Sequence, residues 1–246
     1  MLIHSDMKMA DIIHLDYQLL SVLQRLNIPL GFKEMTVDEV CNLHAIDTNF
    51  FLQLANTVHD KEYFPMEEFL NFPVEWVVNY LKKTHRYHVV FKIPEIEQQI
   101  AHLENSNKSN KENIDLLLRF FKSYIREFIA HIELEEKDVF PYIIYLDKVV
   151  SNGMQLSDFE AKFSDYRIDT YISEHNNIEE KLFDLKNILI KYMPPPEDDI
   201  HFHHLLYDIF RLEADLHDHS TLEERVLIPR VRQMESVIAQ KQNLNR

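Results

Sequence analysis

Apolar residues recur along this chain at the three- and four-residue intervals of a helix, not in the alternation of a strand. In the first 60 or so residues the runs are short. Met9, Ile12, Ile13, Leu19, Leu20, Leu23 and Leu26 make one apolar face, which Pro29 and Gly31 break. Thr36-Val37-Asp38-Glu39 is a capping-box pattern that starts a second short helix, and Asp47 or Thr48 caps a third carrying Phe50, Phe51, Leu54 and Val58. Pro65 and the acidic residues after it read as a connector. Four longer helices follow. The first spans about Phe72 to Glu104, capped by Asn71, with Pro73 in its first turn and a kink expected at Pro94. The second spans about Ile114 to Val150, irregular at Pro141, and stops near Asn152-Gly153. The third starts at the capping box Ser157-Asp158-Phe159-Glu160 and reaches about Tyr192, ahead of the stiff Pro194-Pro195-Pro196. The fourth runs from about Asp198 past Val237, irregular at Pro229. The expected fold class is all-α: a four-helix bundle over residues 72–240, preceded by a small three-helix domain over residues 1–62.

Composition narrows the function classes. The chain has 2 Gly in 246 residues, too few for the hairpins and bends of a β-rich fold. A formal net charge of −15 argues against nucleic acid or an anionic membrane surface as partner. One Cys, Cys41, excludes an intramolecular disulfide framework and any cysteine-built zinc or iron–sulfur site within one chain. Cys41 reads as a small buried residue of the second short helix. Asp6, Lys8 and Asp11 interrupt any apolar leader, and no apolar stretch approaches the ~20 residues that span a bilayer. The expected compartment is the cytoplasm.

Chemistry is concentrated in a repeat. His131-Ile132-Glu133-Leu134-Glu135-Glu136 runs on to Phe140-Pro141, and His219-Ser220-Thr221-Leu222-Glu223-Glu224 runs on to Ile228-Pro229. In each, His and Glu stand one helical turn apart on one face, so imidazole and carboxylate can hold one metal ion or the carboxylate can bridge two. Such pairs are cheap. Four occur here, His131/Glu135, His175/Glu179, His219/Glu223 and His204/Asp208, where roughly two arise by chance. The matching register from His to Pro is what chance explains poorly. Each copy also follows a long helix holding a lone candidate, His85 before His131 and His175 before His219. Packed with approximate two-fold symmetry, the helix pairs would gather four imidazoles and two carboxylates. Glu135 and Glu223 would bridge a metal pair, with His85, His131, His175 and His219 as terminal ligands and room for a water-derived oxo or hydroxo bridge. Imidazole and carboxylate without thiolate suit iron or manganese, and zinc also binds.

The other histidines carry less. His88, one turn from His85, reads as a neighbour of the site or a surface residue. His102 lies roughly 25 Å from His85 along a straight helix and is left out. His217 faces away from His219. His201, His203 and His204 read as a solvated cluster at a helix start, and His4, His14, His44 and His59 show no spacing signal. Glu136 and Glu224 read as a solvated edge or as neighbours of the site. Tyr171 reads as a core residue that could alternatively donate a hydrogen bond to the site, and Trp76 as core.

These stretches resemble the hemerythrin-like (HHE) di-iron proteins, and among them the repair-of-iron-centres proteins, also called regulators of cell morphogenesis and nitric oxide signalling. The resemblance rests on Thr84-His85 ahead of Ile93-Pro94-Glu95-Ile96, on the stretch from His131 to Pro141, on Glu174-His175, and on the stretch from His219 to Pro229. It covers residues 72–232. It implies two non-haem iron ions held by His85, His131, His175 and His219 and bridged by Glu135 and Glu223. The repair proteins carry a Cys-Cys-Gly-Gly-type sequence in a small N-terminal domain. Here that stretch is Asn27-Ile28-Pro29-Leu30-Gly31-Phe32, without Cys, so a thiol-dependent step does not carry over. Three functions compete. One is repair of iron–sulfur clusters or protection under nitrosative or oxidative stress, through nitric oxide or peroxide at an open iron position. The second is a sensor or carrier of O2 or nitric oxide that signals to a protein partner through the N-terminal domain. The third is a metal-free helical interaction protein.

Overall fold

The computed structural model describes residues 1–106, 111–151, 178–194 and 197–244, together with 155, 157, 163, 168, 169 and 171. The described residues are helical, with no strand among them, as the periodicity predicts. They form two compact units, Met1–Lys83 with Arg225–Leu227, and Thr84–Glu224 with Ile228–Arg246.

In the first unit, α1 (Met9–Leu15), α2 (Leu19–Arg25), α3 (Val37–Leu43), α4 (Thr48–His59) and α5 (Met66–Asn71) precede α6 (Val74–Tyr87). Three expectations fail here, one of them the cap at Asn71, which is instead the last residue of α5. The first apolar face is split between α1 and α2. Asp16 leaves the helical region at φ −149°, and its side chain accepts from the Gln18 N–H, a local turn that competes with continuing the helix. The presumed connector after Pro65 forms α5, because Phe69 is fully buried and packs between Phe64 and Phe72. The capping box at Thr36 and Glu39 and the cap at Asp47 form as their sequences predict. Cys41 is buried. Trp76 packs on Phe50 and Phe72 yet keeps 37% of its surface exposed, so it is an edge of this core.

In the second unit, α7 (Ile93–Ser106) packs against α8 (Lys111–Leu134) and α11 (Asp199–Leu222), and α10 (Ile178–Asn187) packs against the same two helices. That ring of contacts closes a four-helix bundle. Its core includes Ile96, Ile100, Phe121, Tyr124, Leu182, Leu185, Ile209 and Leu212. Helix α9 (Phe140–Val150) continues the line of α8 and packs against α12 (Ile228–Leu244), which continues that of α11. Of the capping box expected at Ser157, the residues 158–160 lie outside the described residues.

The prolines are accommodated in one way. Pro94, Pro141 and Pro229 each follow a single π-turn, His88–Lys92, Glu135–Val139 and Glu223–Leu227. The N–H groups of Ile93, Phe140 and Ile228 reach five residues back, to the carbonyls of His88, Glu135 and Glu223. A proline ring clashes with the carbonyl four residues before it and offers no N–H. A widened turn just ahead of the ring relieves both problems while the helix runs on. Two of these π-turns begin at a site glutamate. Among the described residues no helix is long and apolar enough to cross a membrane.

Candidate metal centre

The cluster is assembled from three helix ends of the second unit. His85 sits in the last turn of α6, His131 in the last turn of α8, and His219 in the last turn of α11. Glu135 and Glu223 open the π-turns that follow α8 and α11. Ligand atoms of His85, Glu135, His219 and Glu223 all lie within 4.8 Å of one another, and all four residues are buried. The contacts are close. His85 Nε2 is 3.1 Å from His219 Nε2 and 3.1 Å from Glu135 Oε2. His131 Nε2 is 3.0 Å from Glu135 Oε1, and His219 Nε2 is 3.2 Å from Glu223 Oε1. His131 thus joins through Glu135. His175 lies outside the described residues.

Surrounding groups orient this set. Tyr171 donates its hydroxyl to Glu135 Oε1 at 2.5 Å, and its ring lies against that of His131. Tyr171 fills both roles that the sequence allowed it, buried in the core and donating to Glu135. His85 Nδ1 lies 3.1 Å from Glu136 Oε1, which leaves Nε2 facing the cluster, and its ring stacks on Phe140. His88 is not a surface residue: it is fully buried, with Nε2 2.6 Å from Asp215 Oδ2. The signal for that pair was in the spacing. His88 stands three residues after His85 and Asp215 four before His219, so each shares a helix face with a cluster histidine. The remaining His–acid pairs are spent elsewhere. Asp208 accepts from Lys92 and Gln99 while His204 is exposed, and Glu179 faces the exposed His217.

Electrostatics divide the two glutamates. Burial by itself raises Glu135, but hydrogen bonds from His131 and His85 outweigh it and hold the carboxyl well below the usual range. Glu223 is pushed well above that range by burial, then by the charge of Glu135 and a hydrogen bond to it. Burial lowers His85, yet its hydrogen bonds to Glu135 and Glu136 leave it raised overall. Two carboxylates and two facing Nε2 atoms gathered among buried residues favour added positive charge. Burying an ionised carboxylate without compensation is strongly unfavourable, and a multivalent cation among these donors supplies the missing charge. The donor set therefore fits metal ions of the kind that imidazole and carboxylate bind.

Residues 77–231 match the hemerythrin HHE cation binding domain. The chain belongs to that family. The HHE match spans most of α6, the whole four-helix ring and all three π-turns ahead of the prolines. It accounts for the bundle and makes this a cation-binding domain, and the buried His/Glu cluster is a group of side chains that could hold such an ion. No curated protein matches the chain.

Proposed function

We propose that this protein is a non-haem di-iron protein of the hemerythrin type, acting on nitric oxide, O2 or peroxide in the nitrosative or oxidative stress response, including repair of damaged iron–sulfur clusters. The observation that carries the reading is the convergence of His85, Glu135, His219 and Glu223 within 4.8 Å in a buried pocket. His85, His131, His175 and His219 would hold the pair as terminal ligands, and Glu135 and Glu223 would bridge it. Two iron ions held there supply reversible one-electron chemistry and an open position for a diatomic or peroxide ligand. Glu135 enters this arrangement already ionised, held by Tyr171, His131 and His85. Glu223, raised by burial first and then by the facing Glu135, would have to be deprotonated to serve as a metal ligand. Glu136 keeps His85 turned with Nε2 inward. Phe140, buried and stacked on His85, limits water at the site. Residues 1–62 are assigned as a small helical domain open to a protein partner, residues 72–240 as the metal-binding bundle, and the cytoplasm as the compartment.

One observation favours a second reading, sensing or carriage of O2 or nitric oxide. Cys41 is the sole cysteine; it is buried, and burial first and then Asp38 and Asp47 push its thiol up to about 12. A thiolate-dependent repair step has no donor in this chain. Protein purified from iron-rich medium should carry about two iron ions per chain, with ultraviolet absorption of a bridged ferric pair. Less than one iron per chain under those conditions sinks the di-iron reading. Restoring activity to a damaged cluster enzyme supports repair, whereas rapid reaction with nitric oxide or O2 and no restoration supports sensing.

A further inference from the structure

A second cluster of metal-binding donors lies at the opposite end of α7 and α11 from the buried centre. His102 lies near the C-terminal end of α7, four residues before Ser106, His201 is in the first turn of α11, and Asp198 is the residue that caps α11. Asp198 Oδ2 is 3.1 Å from His102 Nε2 and 2.8 Å from His201 Nδ1. The two imidazole centroids are only 4.1 Å apart, and ligand atoms of all three residues lie within 4.8 Å of one another. The ring of His204, one turn on, has its centroid 6.3 Å from that of His201.

We infer that His102, Asp198 and His201 form a second, solvent-accessible site for a borderline transition-metal dication, of which zinc is the representative. Zinc–nitrogen bonds of about 2.0–2.1 Å place two ligand atoms of a tetrahedral ion roughly 3.3 Å apart. The separations from Asp198 Oδ2 to the two nitrogens already approach that, so chelation needs small side-chain adjustments. Two imidazoles with one carboxylate leave a fourth position for water or for His204, the open pattern of three protein ligands. The donor choice favours zinc, nickel or copper over magnesium and calcium, which take all-oxygen shells. Both imidazoles are about half exposed, so a metal reaches them from solution without opening the bundle. The ligands come from two helices adjacent in the ring, so the ion would tie the end of α7 to the start of α11.

This site is independent of the di-iron reading and is tested on the full chain with its buried metal in place. Zinc is titrated into wild type and the Asp198→Asn, His102→Ala and His201→Ala variants by equilibrium dialysis, with buried iron measured in the same samples. A cobalt titration reports geometry by its visible absorption. Asp198→Asn keeps a capping oxygen for α11, so it separates ligation from helix capping. Wild type should take up one further zinc per chain, and each variant should bind it at least about tenfold more weakly, with iron content unchanged. His203→Ala, a neighbour whose Nδ1 faces the Asp199 carbonyl, should bind as wild type does. No further equivalent at 100 μM zinc overturns the inference. So does an equivalent that survives in all three ligand variants, or one that His203→Ala also removes.

Discussion

The stretches from His131 to Pro141 and from His219 to Pro229 are near copies in sequence, and their surroundings make them different. Both end a long helix in a π-turn that starts at a glutamate and releases a proline. Glu135 is met by His85, His131 and Tyr171, and is held ionised. Glu223 is met by His219 and faces Glu135, and burial together with that facing charge raises it well above the usual range. Equal motifs therefore present one carboxyl that ionises more readily than usual and one that ionises less readily. Two buried carboxylates this close cannot both ionise without added positive charge, so asymmetry is the low-energy arrangement of a metal-free centre.

The largest effect should come from removing each carboxylate in turn from metal-free protein and measuring urea unfolding. Glu135→Gln gives His85 and His131 a neutral amide in place of their charged acceptor and should cost about 3 kcal/mol. Glu223→Gln mimics the protonated form and should be neutral or slightly stabilising. Equal losses in the two variants would erase the asymmetry. The pH dependence carries the same contrast with opposite signs. Glu135, lowered in the fold, contributes stability that is present above about pH 4.3 and lost as pH falls through its folded value. Glu223, raised in the fold, stabilises at acid pH, and that contribution declines as pH rises from about 4.3 through its folded value. Stability of the metal-free wild type should therefore slope downward above pH 4.3 relative to Glu223→Gln; parallel profiles would contradict the assignment.

A smaller effect isolates the tyrosine that Glu135 has and Glu223 is not seen to have among the described residues. Tyr171→Phe removes one hydrogen bond to an ionised acceptor and should destabilise the metal-free protein by about 1.5–3 kcal/mol. It should raise the acid midpoint of unfolding, because Glu135 then protonates more readily. An unchanged midpoint would mean that the hydroxyl does not help to hold the charge.

The smallest effect concerns the glutamates next in sequence. Glu136 touches His85 but is 41% exposed, so Glu136→Gln should change stability by less than about 1 kcal/mol once solvent screening is counted. Its signature lies in metal retention: transfer of iron to a chelator should quicken by about tenfold as the His85 ring loses its orienting acceptor. Glu224, which has no imidazole partner among the described residues, should show no such change when made Gln. Matching rates for the two variants would remove Glu136 from any orienting role.

Much of this was legible along the chain because it is periodic or local. Helical spacing exposes the bundle, a capping box needs only residues three apart, and a His and Glu four apart share a helix face whatever surrounds them. The repeat from His to Pro marked Glu135 and Glu223 without any tertiary information. Local competition was harder to read: the Asp16 turn that splits α1 from α2 outweighs an unbroken apolar face, and α5 exists because Phe69 finds a core. The prolines marked irregularity, but whether each would kink its helix or follow a π-turn depends on what holds the helix on both sides.

Only the folded chain decided which partners meet. His85 acquires Glu136 from across the bundle, His88 acquires Asp215, and Tyr171 acquires Glu135, each through residues far apart in sequence. His102 and His201 come together because α7 and α11 are neighbours, which no spacing within either helix reveals. Sequence by itself determined the helices and the pairs of donors carried on single turns, since those depend on neighbours within one turn. The charge states of Glu135 and Glu223 were decided by the tertiary structure, since burial and the facing groups, not the motif, set the free energy of a buried carboxylate.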